Sequence, residues 1–385
     1  MSDFLGYRNA DGSVGVRNHF LVMSLTGLTG PTARRIAQQI RGAEVVTMPF
    51  GSGLVGADAE LHRRALIGLA ANPNVGAVLM IGGNPPELTD IAEAVALTGK
   101  PVDTLSMDDC DHDALTLSER GTRAGVKLAR AVSRRRRGPA SASELTVALE
   151  CGRSDPSSGL VSNPLVGLVA DRLVAAGALV IFGETMEWLG AEHLLKRRAV
   201  SPEVARAIEA AVLRREAQAV AAGIDLTGNN PGPTNIAGGL TTIEEKALGG
   251  IAKGGLSPIQ SLIGIAERPA KPGLHVMDAP AYAPESVTGF VAAGAQLVMF
   301  TTGAGNSFVS QLAPTLKLSG NPVATRRLAE QLDFDASAVT ERSESIEAAA
   351  ARLYDTLIDI AGGTLTWGEV LNEGEEVVSR LGPAL

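Results

Sequence analysis

Short runs of Val, Leu and Ile alternate with longer amphipathic stretches along the whole chain. The short runs predict strands, and the longer stretches, whose apolar residues recur at helical spacing, predict helices. This alternation is typical of an α/β fold with mainly parallel sheets flanked by helices. In the first part of the chain the predicted strands are 20–25, 44–48, 76–81 and 101–105, and the predicted helices include 31–41 and 57–71.

A basic run at residues 134–137, followed by a stretch rich in Gly, Pro, Ala and Ser, interrupts this pattern. Such a charge run is usually a solvated surface, and here it predicts a linker at 136–144. We therefore expect two domains, an N-terminal α/β domain at 1–135 and a C-terminal α/β domain at 145–385. Nucleic-acid contact is a more specific interpretation of the arginines at 134–137, but no aromatic or further basic residues nearby support it.

The α/β pattern resumes after the linker. Predicted strands lie at 145–149, 178–182, 274–277 and 296–300, and predicted helices at 163–176, 191–222, 241–253, 286–293, 323–332 and 345–361. Asn163, followed by proline, is expected to cap its helix. Thr241 or Thr242, with Glu244 or Glu245, gives a possible capping box for helix 241–253.

Polar residues follow each of these four strands directly. The clusters are 150–155, 183–193, Asp278 and 301–307. Because ligands of an open parallel sheet bind at the carboxyl ends of its strands, the clusters are expected to share one cleft. Turns and helix caps also use Asp, Ser, Thr and Gly, and this is the better interpretation of any one cluster alone. The four together, with their many carboxylates, favour a binding site.

A loop at 228–235, rich in Asn, Gly and Pro, leads towards the helix at 241–253. Such a loop can be a mere connector, but the free backbone amides of a helix N-terminus favour an anion such as a carboxylate. Lys246, Lys253 and Lys317 are the cations best placed to join it. Considered alone, each of these residues is more often a surface lysine than a catalytic one.

Composition narrows the class of protein. The 385 residues are 45% hydrophobic and 20% charged, as in a globular protein of two or three domains. The net charge of −8 argues against a nucleic-acid partner. No secretory signal or membrane-spanning stretch is visible, and two cysteines, Cys110 and Cys151, cannot build a disulfide framework. We expect a cytoplasmic protein with no membrane partner.

One set of motifs runs through nearly the whole chain. The motifs are Asp11-Gly12, Gly15-Val16-Arg17-Asn18, 72–75, Glu150-Cys151-Gly152, Ser154-Asp155, Ser158-Gly159, Asn163-Pro164, Glu184-Thr185, Glu187, 190–193, Asn235, Gly238-Gly239, Glu245-Lys246, Gly249, 253–255, Met277-Asp278, Thr288-Gly289, 293–295, 300–303, Pro314-Thr315, Lys317 and Asn321. In these residues the chain resembles the altronate/galactarate dehydratase family, which includes the large subunit of sulfolactate sulfo-lyase. The resemblance implies α,β-elimination from a small anionic hydroxy carboxylic acid, with water or sulfite leaving and iron or another divalent metal assisting.

The resemblance also bears on partners. The small substrate-gating domain often fused at the N-terminus of the family does not occur in this sequence. It is expected to be a separate small subunit or to be missing altogether. We further expect a homo-oligomer.

The sequence departs from the family at its metal-type residues. Residues 50–56 replace the family's His-x-x-Gly-Cys, and residues 82–87 replace its Gly-x-Gly-Cys-Glu. Arg153 stands where glycine is usual, and Ala304 where arginine is usual. Cys151 alone remains of the family's cysteines, and one thiolate cannot hold an iron–sulfur cluster. Either a divalent metal such as Fe(II), Mn or Mg is held by His and carboxylates, or the chain works without that metal.

Elimination beside a carboxylate needs a base, an acid and a cation. Lys246 or His193 is predicted as the base, and Glu184 or Glu187 as the acid. Cys151 is interpreted as a ligand, a nucleophile or an inert buried thiol. The predicted metal ligands are Asp155, Glu187 and Glu192, with Glu184 and His193 as further candidates. The predicted substrate-binding residues are Asp155, Ser157, Ser158, Asn163, Asn235, Lys253, Thr301, Thr302, Gly303, Asn306 and Lys317.

The function predicted from the sequence is that of a carbon–oxygen lyase, a dehydratase that removes water from a sugar acid or short hydroxy acid. Two alternatives remain. The scaffold could carry different chemistry, as a sulfo-lyase, a metal-independent hydrolase or an isomerase. It could also be a non-catalytic paralogue that binds a carboxylate ligand.

Overall fold

The computed structural model describes residues 3–51, 53–226 and 230–380. Ser52, which belongs to the first segment that departs from the family motifs, lies outside these ranges. So do Gly228 and Asn229 of the predicted anion-binding loop, residues 1–2 of the predicted N-terminal domain and residues 381–385 of the predicted C-terminal domain. The strands are β1 Phe4–Arg8, β2 Val14–Gly15, β3 His19–Ser24, β4 Ala43–Thr47, β5 Val75–Gly82, β6 Val102–Ser106, β7 Gly138–Ala140, β8 Thr146–Cys151, β9 Leu179–Phe182, β10 Ile259–Gly264, β11 Gly273–Asp278, β12 Leu297–Thr301, β13 Thr315–Ser319 and β14 Phe334–Asp335.

Helices fill the intervals between most of the strands. They are α1 Gly30–Gln38, α2 Gly56–Ala71, α3 Pro85–Ala96, α4 Ala114–Val132, α5 Asn163–Ala175, α6 Glu192–Arg198, α7 Pro202–Ala221, α8 Pro233–Ala237, α9 Ile243–Ile251, α10 Ala283–Ala292, α11 Pro322–Arg327, α12 Ser337–Thr340, α13 Ile346–Gly362 and α14 Trp367–Leu371. The predicted α/β class is confirmed. None of the helices in the described residues is long and apolar enough to span a bilayer.

The N-terminal sheet has four parallel strands in the order β4-β3-β5-β6. Every residue of β5 is buried, as expected of a strand covered on both faces. Phe20 and Val22 of β3 face α1 and α4, whereas Leu21 and Met23 face α2 and α3. This alternation follows from the two-residue period of a strand.

The C-terminal sheet has seven parallel strands in the order β10-β11-β9-β8-β12-β13-β14. Helices α5 and α13 cover one face, and α10 covers the other. From β8 the chain continues to β9 on one side, while β12 lies on the other side, with Thr301 opposite Cys151. The strand order therefore reverses between β8 and β12, which is where such sheets bind ligands.

One hydrophobic core joins the two large sheets. It contains Met23 of β3, Leu69 of α2, Phe290 of α10 and Val298 of β12, all of them almost fully buried. Helices α2 and α10 pack against each other at this boundary. The two halves therefore share apolar contacts instead of meeting across a wet interface.

The region predicted to be a linker is structured. Residues 138–140 form β7, which pairs with β1 in a small antiparallel sheet of order β2-β1-β7 that the sequence pattern did not predict. Arg135 donates to Asn18 Oδ1 at 2.8 Å, and Arg137 donates to the Val16 carbonyl at 2.9 Å. These two arginines therefore fasten the segment to the N-terminal strands instead of forming a simple solvated run.

Candidate active site

Five side chains converge at the carboxyl edge of the C-terminal sheet. We call Cys151, Glu184, Glu187, Lys246 and Lys253 the buried cluster. The Lys253 ammonium lies 2.5 Å from Glu184 Oε2, 3.0 Å from Cys151 Sγ and 3.7 Å from Glu187 Oε2. Lys246 Nζ lies 2.9 Å from Glu187 Oε1. All five were singled out from the sequence, and the structure brings them together.

The turn after β9 positions Glu184. Its backbone is left-handed, at φ 68°, which is uncommon for a residue other than glycine. The turn is held by a hydrogen bond from the Thr185 amide to Ala279 O and by one from Trp188 Nε1 to Gly183 O, both at 3.0 Å. The hydroxyl of Thr185 also donates to Asp278 at the end of β11. Backbone strain of this kind often occurs at functional sites, where it aims a side chain.

The turn after α9 positions Lys253. Residues 252–254 form a short 3-10 turn that packs on α5. Gly255 follows with φ 58°, and a Cβ at this position would lie 2.5 Å from the Gly167 carbonyl oxygen. This close approach, which requires glycine, carries Lys253 beneath the ends of β8 and β9. Its side chain is 1% exposed, so the ammonium is almost fully desolvated.

Burial and charge set the protonation of the two lysines and of Glu187. Burial opposes the ionised form of Glu187, but the adjacent ammonium groups of Lys246 and Lys253 lower its pKa to about 2. Burial likewise disfavours the charged lysines. The surrounding acidic groups nevertheless raise the pKa of Lys246 and place that of Lys253 well above its usual value. Both lysines are therefore ammonium ions at neutral pH.

In the Cys151 thiol and in the carboxyls of Glu184 and Glu150, by contrast, the pKa is shifted in the direction that favours the neutral form. Burial, reinforced by neighbouring carboxylates, places the pKa of Cys151 well above its usual value, so the thiol is neutral. Burial and then the charge of Glu187 raise the pKa of Glu184, against the pull of Lys253. Glu184 is therefore the carboxyl of the cluster best suited to exchange a proton near neutral pH.

Glu150, one residue before Cys151, completes this charge balance. It is fully buried, Ser286 of α10 donates to its Oε2, and its carboxyl hydrogen-bonds to that of Glu184. Burial, and then the charge of Glu184, place the pKa of Glu150 well above its usual value. Glu150 is therefore neutral, and the two ammonium groups balance the carboxylates of Glu184 and Glu187.

A cleft of about 460 Å³ opens onto the buried cluster. Besides Cys151, Glu184, Glu187 and Lys246, its lining residues are Gly152, Arg153, Ser154, 232–235, 281–284 and Asn306. Asn235 donates to the Ser154 carbonyl at 2.8 Å, and Asn230 Oδ1 accepts from Lys246 at 2.5 Å. The described part of the predicted anion-binding loop therefore forms one wall of the cleft.

Most of the other predicted substrate-binding residues lie behind the cleft and hold its loops. Asp155 accepts from Ser157 and from Asn321, and Gly303 packs against it. The Asp155 amide donates to the Ser158 hydroxyl, and the Gly305 amide donates to the Thr302 hydroxyl.

The remaining predicted binders have structural partners. Thr301 donates to Asn163 at 2.6 Å, and Asn163 donates to the Gly249 carbonyl. Asn163 is the first residue of α5 and does not cap it, since a π-helical turn at 158–162 precedes the helix. Lys317 is buried, donates to the Ser307 carbonyl and pairs with Glu373 at 3.6 Å.

The structure does not bring His193 and Glu192 to the buried cluster. Both lie in the first turn of α6, where Glu192 accepts from the Gly190 amide and the side chain of His193 is exposed. The predicted metal ligands Asp155, Glu187 and Glu192 are therefore not assembled. In the described part of the chain, the one group of three potential ligands whose atoms lie within 4.8 Å of one another is Cys151, Glu184 and Glu187.

Comparison with known proteins bears on the same edge of the sheet. The family model described as "D-galactarate/Altronate dehydratase, C-terminal" matches residues 142–384, and "D-galactarate dehydratase/Altronate hydrolase, second domain" matches residues 6–133. The chain belongs to this family.

Curated relatives of this galactarate/altronate dehydratase family member are lyases by name. The (2R)-sulfolactate sulfo-lyase subunit beta of Chromohalobacter salexigens is 38% identical over 98% of this chain and 97% of its own length. Galactarate dehydratase (L-threo-forming) of Escherichia coli is 31% identical over 94% of this chain and 73% of its own. Altronate dehydratase of Bacillus subtilis is 29% identical over 99% of this chain and 78% of its own.

The family resemblance implies a divalent metal, and the buried cluster does not fit one. Its three potential ligand atoms already surround the Lys253 ammonium, and Lys246 pairs with the other oxygen of Glu187. A dication bound at 2.0–2.3 Å from these atoms would lie against a buried positive charge. In addition, the thiol would have to lose a proton that its surroundings retain.

Sequence reasoning gave no role to three residues at the site. Glu150 was recognised in the polar cluster after its strand, and its position beside Cys151 was the available signal. Asn230 and Tyr282 line or support the cleft, but nothing in the local sequence distinguishes them from ordinary loop residues.

Proposed function

We propose that this family member is a lyase that eliminates water from a sugar acid or short hydroxy carboxylic acid bound in the cleft. The observation that carries the proposal is a buried carboxyl with a raised pKa, Glu184, paired with the Lys253 ammonium at a sheet edge, where the second ammonium, that of Lys246, pairs with Glu187. A proton-transfer group beside fixed positive charge is what elimination next to a carboxylate requires.

The ammonium groups are proposed to hold the negative charge of the substrate. Lys246, whose side chain is 12% exposed, faces the cleft and meets the substrate carboxylate. Lys253 lies deeper and stabilises the charge that develops on the carboxylate as the α-proton leaves. Because its raised pKa keeps Lys246 protonated, we assign it this binding role instead of that of the base.

Glu184 is proposed to move the proton. Its carboxylate accepts the α-proton, and the electron pair of the broken C–H bond is delocalised towards the substrate carboxylate. This pair then forms the carbon–carbon double bond as the β-carbon–oxygen bond breaks. Glu184 returns the proton to the departing hydroxyl, which leaves as water. A raised pKa makes Glu184 a better base than an ordinary glutamate and still lets it act as an acid.

A sulfo-lyase is the second candidate, favoured by one specific observation. The sulfo-lyase subunit matches this chain at 38% identity over nearly its whole length. In that reaction the bond broken is carbon–sulfur, and sulfite leaves without needing a proton from Glu184. Since that relative is named as a subunit beta, we further propose that this chain works with a separate small subunit.

The test is turnover by the purified chain of a panel of aldonates, aldarates, short hydroxy acids and sulfolactate. Keto-acid formation reports dehydration, and sulfite release reports the sulfo-lyase. The panel is run with and without Fe(II) or Mn(II), and with any small subunit encoded beside this chain. If no acid turns over under any condition, while calorimetry still detects carboxylate binding, the non-catalytic alternative replaces the lyase proposal.

A further inference from the structure

We propose that the buried ammonium of Lys253 takes the place of a divalent cation in the buried cluster, so that this chain acts without a bound metal ion. The inference deepens the proposed function and rests on it for its chemical meaning. The position of Lys253 itself can be tested without any substrate.

Sγ of Cys151 and one oxygen each of Glu184 and Glu187 form a group that could coordinate a metal. The Lys253 Nζ lies 3.0 Å, 2.5 Å and 3.7 Å from these three residues. A cation is therefore already centred among them, as an ammonium at hydrogen-bond distances instead of a metal at coordination distances.

Lys246 and Lys253 already balance the ionised carboxylates of Glu184 and Glu187. Adding a dication would leave two excess positive charges among side chains that are largely buried. Compensation would require ionising both Glu150 and Cys151, whose burial favours their neutral forms.

The N-terminal domain holds the other segments in which the family carries metal-type residues. Residues 50–51, 53–54 and Glu87 of these segments line a pocket of about 230 Å³ together with His62. Over residues 3–51, 53–226 and 230–380, no group of three potential ligands forms there. The positive charge beside the cleft therefore comes from Lys246, Lys253 and Arg153.

The experiment uses Co(II), because a cobalt–thiolate bond gives an intense near-ultraviolet absorption band that reports the metal at Cys151. We expect the wild-type chain, purified and titrated with Co(II), to show no such band and no metal-dependent rise in melting temperature. Lys253→Met, which removes the ammonium and keeps the stem, should gain one Co(II) with the thiolate band. The double variant Lys253→Met, Cys151→Ser should lose the band again.

Lys317→Met is the matched control. Lys317 is also a fully buried lysine, but its partners are the Ser307 carbonyl and Glu373, with no thiol beside it. Its substitution should produce no cobalt–thiolate band. Circular dichroism establishes that each variant is folded, and Lys253→Gln replaces Lys253→Met if the latter does not fold.

Three results would overturn the inference. These are a stoichiometric metal in the purified wild type, a wild-type cobalt band that Cys151→Ser removes, and folded Lys253 variants that bind no cobalt. Elemental analysis of the wild type decides the first even if no Lys253 variant folds. Failure of the proposed function is distinct, since it appears as absent turnover of the acid panel, whereas the cobalt titration needs no turnover.

Discussion

At the scale of single residues, the three glutamates in and beside the buried cluster lie in different electrostatic environments. Opposite charges hold Glu187 ionised, whereas burial keeps Glu150 neutral, and Glu184 lies between these extremes. Environments that push neighbouring pKa values apart are a sign of assigned acid–base roles. The sequence identified most of these residues, but it could not rank them, because the ranking depends on distances of a few ångströms.

Glu184→Gln is expected to lower kcat by about 10²–10⁴-fold, since the amide cannot exchange a proton. The fold should persist, because the amide still accepts a hydrogen bond from Lys253. Steady-state kinetics on whichever acid turns over, together with the melting temperature, measures both effects. Glu192→Gln, on the outer helix α6, is the matched control, and a Glu184→Gln enzyme as active as this control would contradict the role.

Lys246→Ala removes the ammonium that faces the cleft. Losing a charge-assisted hydrogen bond of about 1.5–3 kcal/mol should lower kcat/KM by roughly 10–100-fold, mainly through KM. Lys196→Ala removes a lysine whose partner is Glu209 on the outer helices and should leave both constants near wild type. A fall in kcat at unchanged KM would show that Lys246 acts in chemistry instead of binding.

At the scale of elements, the four central strands of the C-terminal sheet, β11, β9, β8 and β12, could be predicted, and the outer strands β10, β13 and β14 could not. The runs at 147–149 and 178–182 are continuously apolar because both faces of β8 and β9 are covered. Strand β13 was missed because Lys317 interrupts its apolar run, although that lysine is buried in the fold. The orientation of α6, which turns His193 outwards, depends on packing that no local pattern encodes.

The C-terminal segment after α14 contains a further buried titratable residue, Glu376. Glu376 is buried and accepts hydrogen bonds from Ser310, Thr288 and two backbone amides, yet burial raises its pKa to about 7. Because the folded-state pKa of Glu376 is raised, this group stabilises the folded state fully below its unfolded-state pKa near 4.5. That stabilisation is lost as the pH rises through about 7.

We therefore expect the unfolding free energy of the wild type to fall, relative to Glu376→Gln, between about pH 4.5 and 7. The difference should reach about 3 kcal/mol, on the scale of 1.36 kcal/mol per pKa unit. Urea denaturation at several pH values measures it. Glu375→Gln changes an exposed neighbour and should reproduce the wild-type curve, and a Glu376→Gln curve parallel to it would refute the assignment.

At the scale of the whole molecule, the two halves are joined by polar contacts as well as by the shared core. Arg17, which is 7% exposed, makes two hydrogen bonds to Glu369 of α14, at 2.6 and 2.9 Å. It also donates to the carbonyls of Ile360 and Thr364 near the end of α13. The sequence marked Arg17 as part of a motif, but its partner, 352 residues away, could not be inferred.

Arg17→Ala should destabilise the protein by about 3–5 kcal/mol, because Glu369 is left largely buried without its partner. Arg8→Ala removes the exposed pair with Glu144 and should cost under about 1 kcal/mol. Equilibrium denaturation of both variants gives the comparison. Equal effects would mean that the Arg17 pair is as weak as a surface ion pair.

The charge balance of the buried cluster has a consequence for ligand capture. Because Glu184 and Glu187 already balance the two ammonium groups, the charge of a bound substrate anion must be compensated by Arg153 at the cleft wall or by a proton from solvent. Binding of a monocarboxylate should therefore be linked to uptake of up to about one proton. Calorimetric titrations in two buffers of different ionisation enthalpy would show this as unequal heats, while equal heats would mean that the anion's charge is compensated without proton uptake.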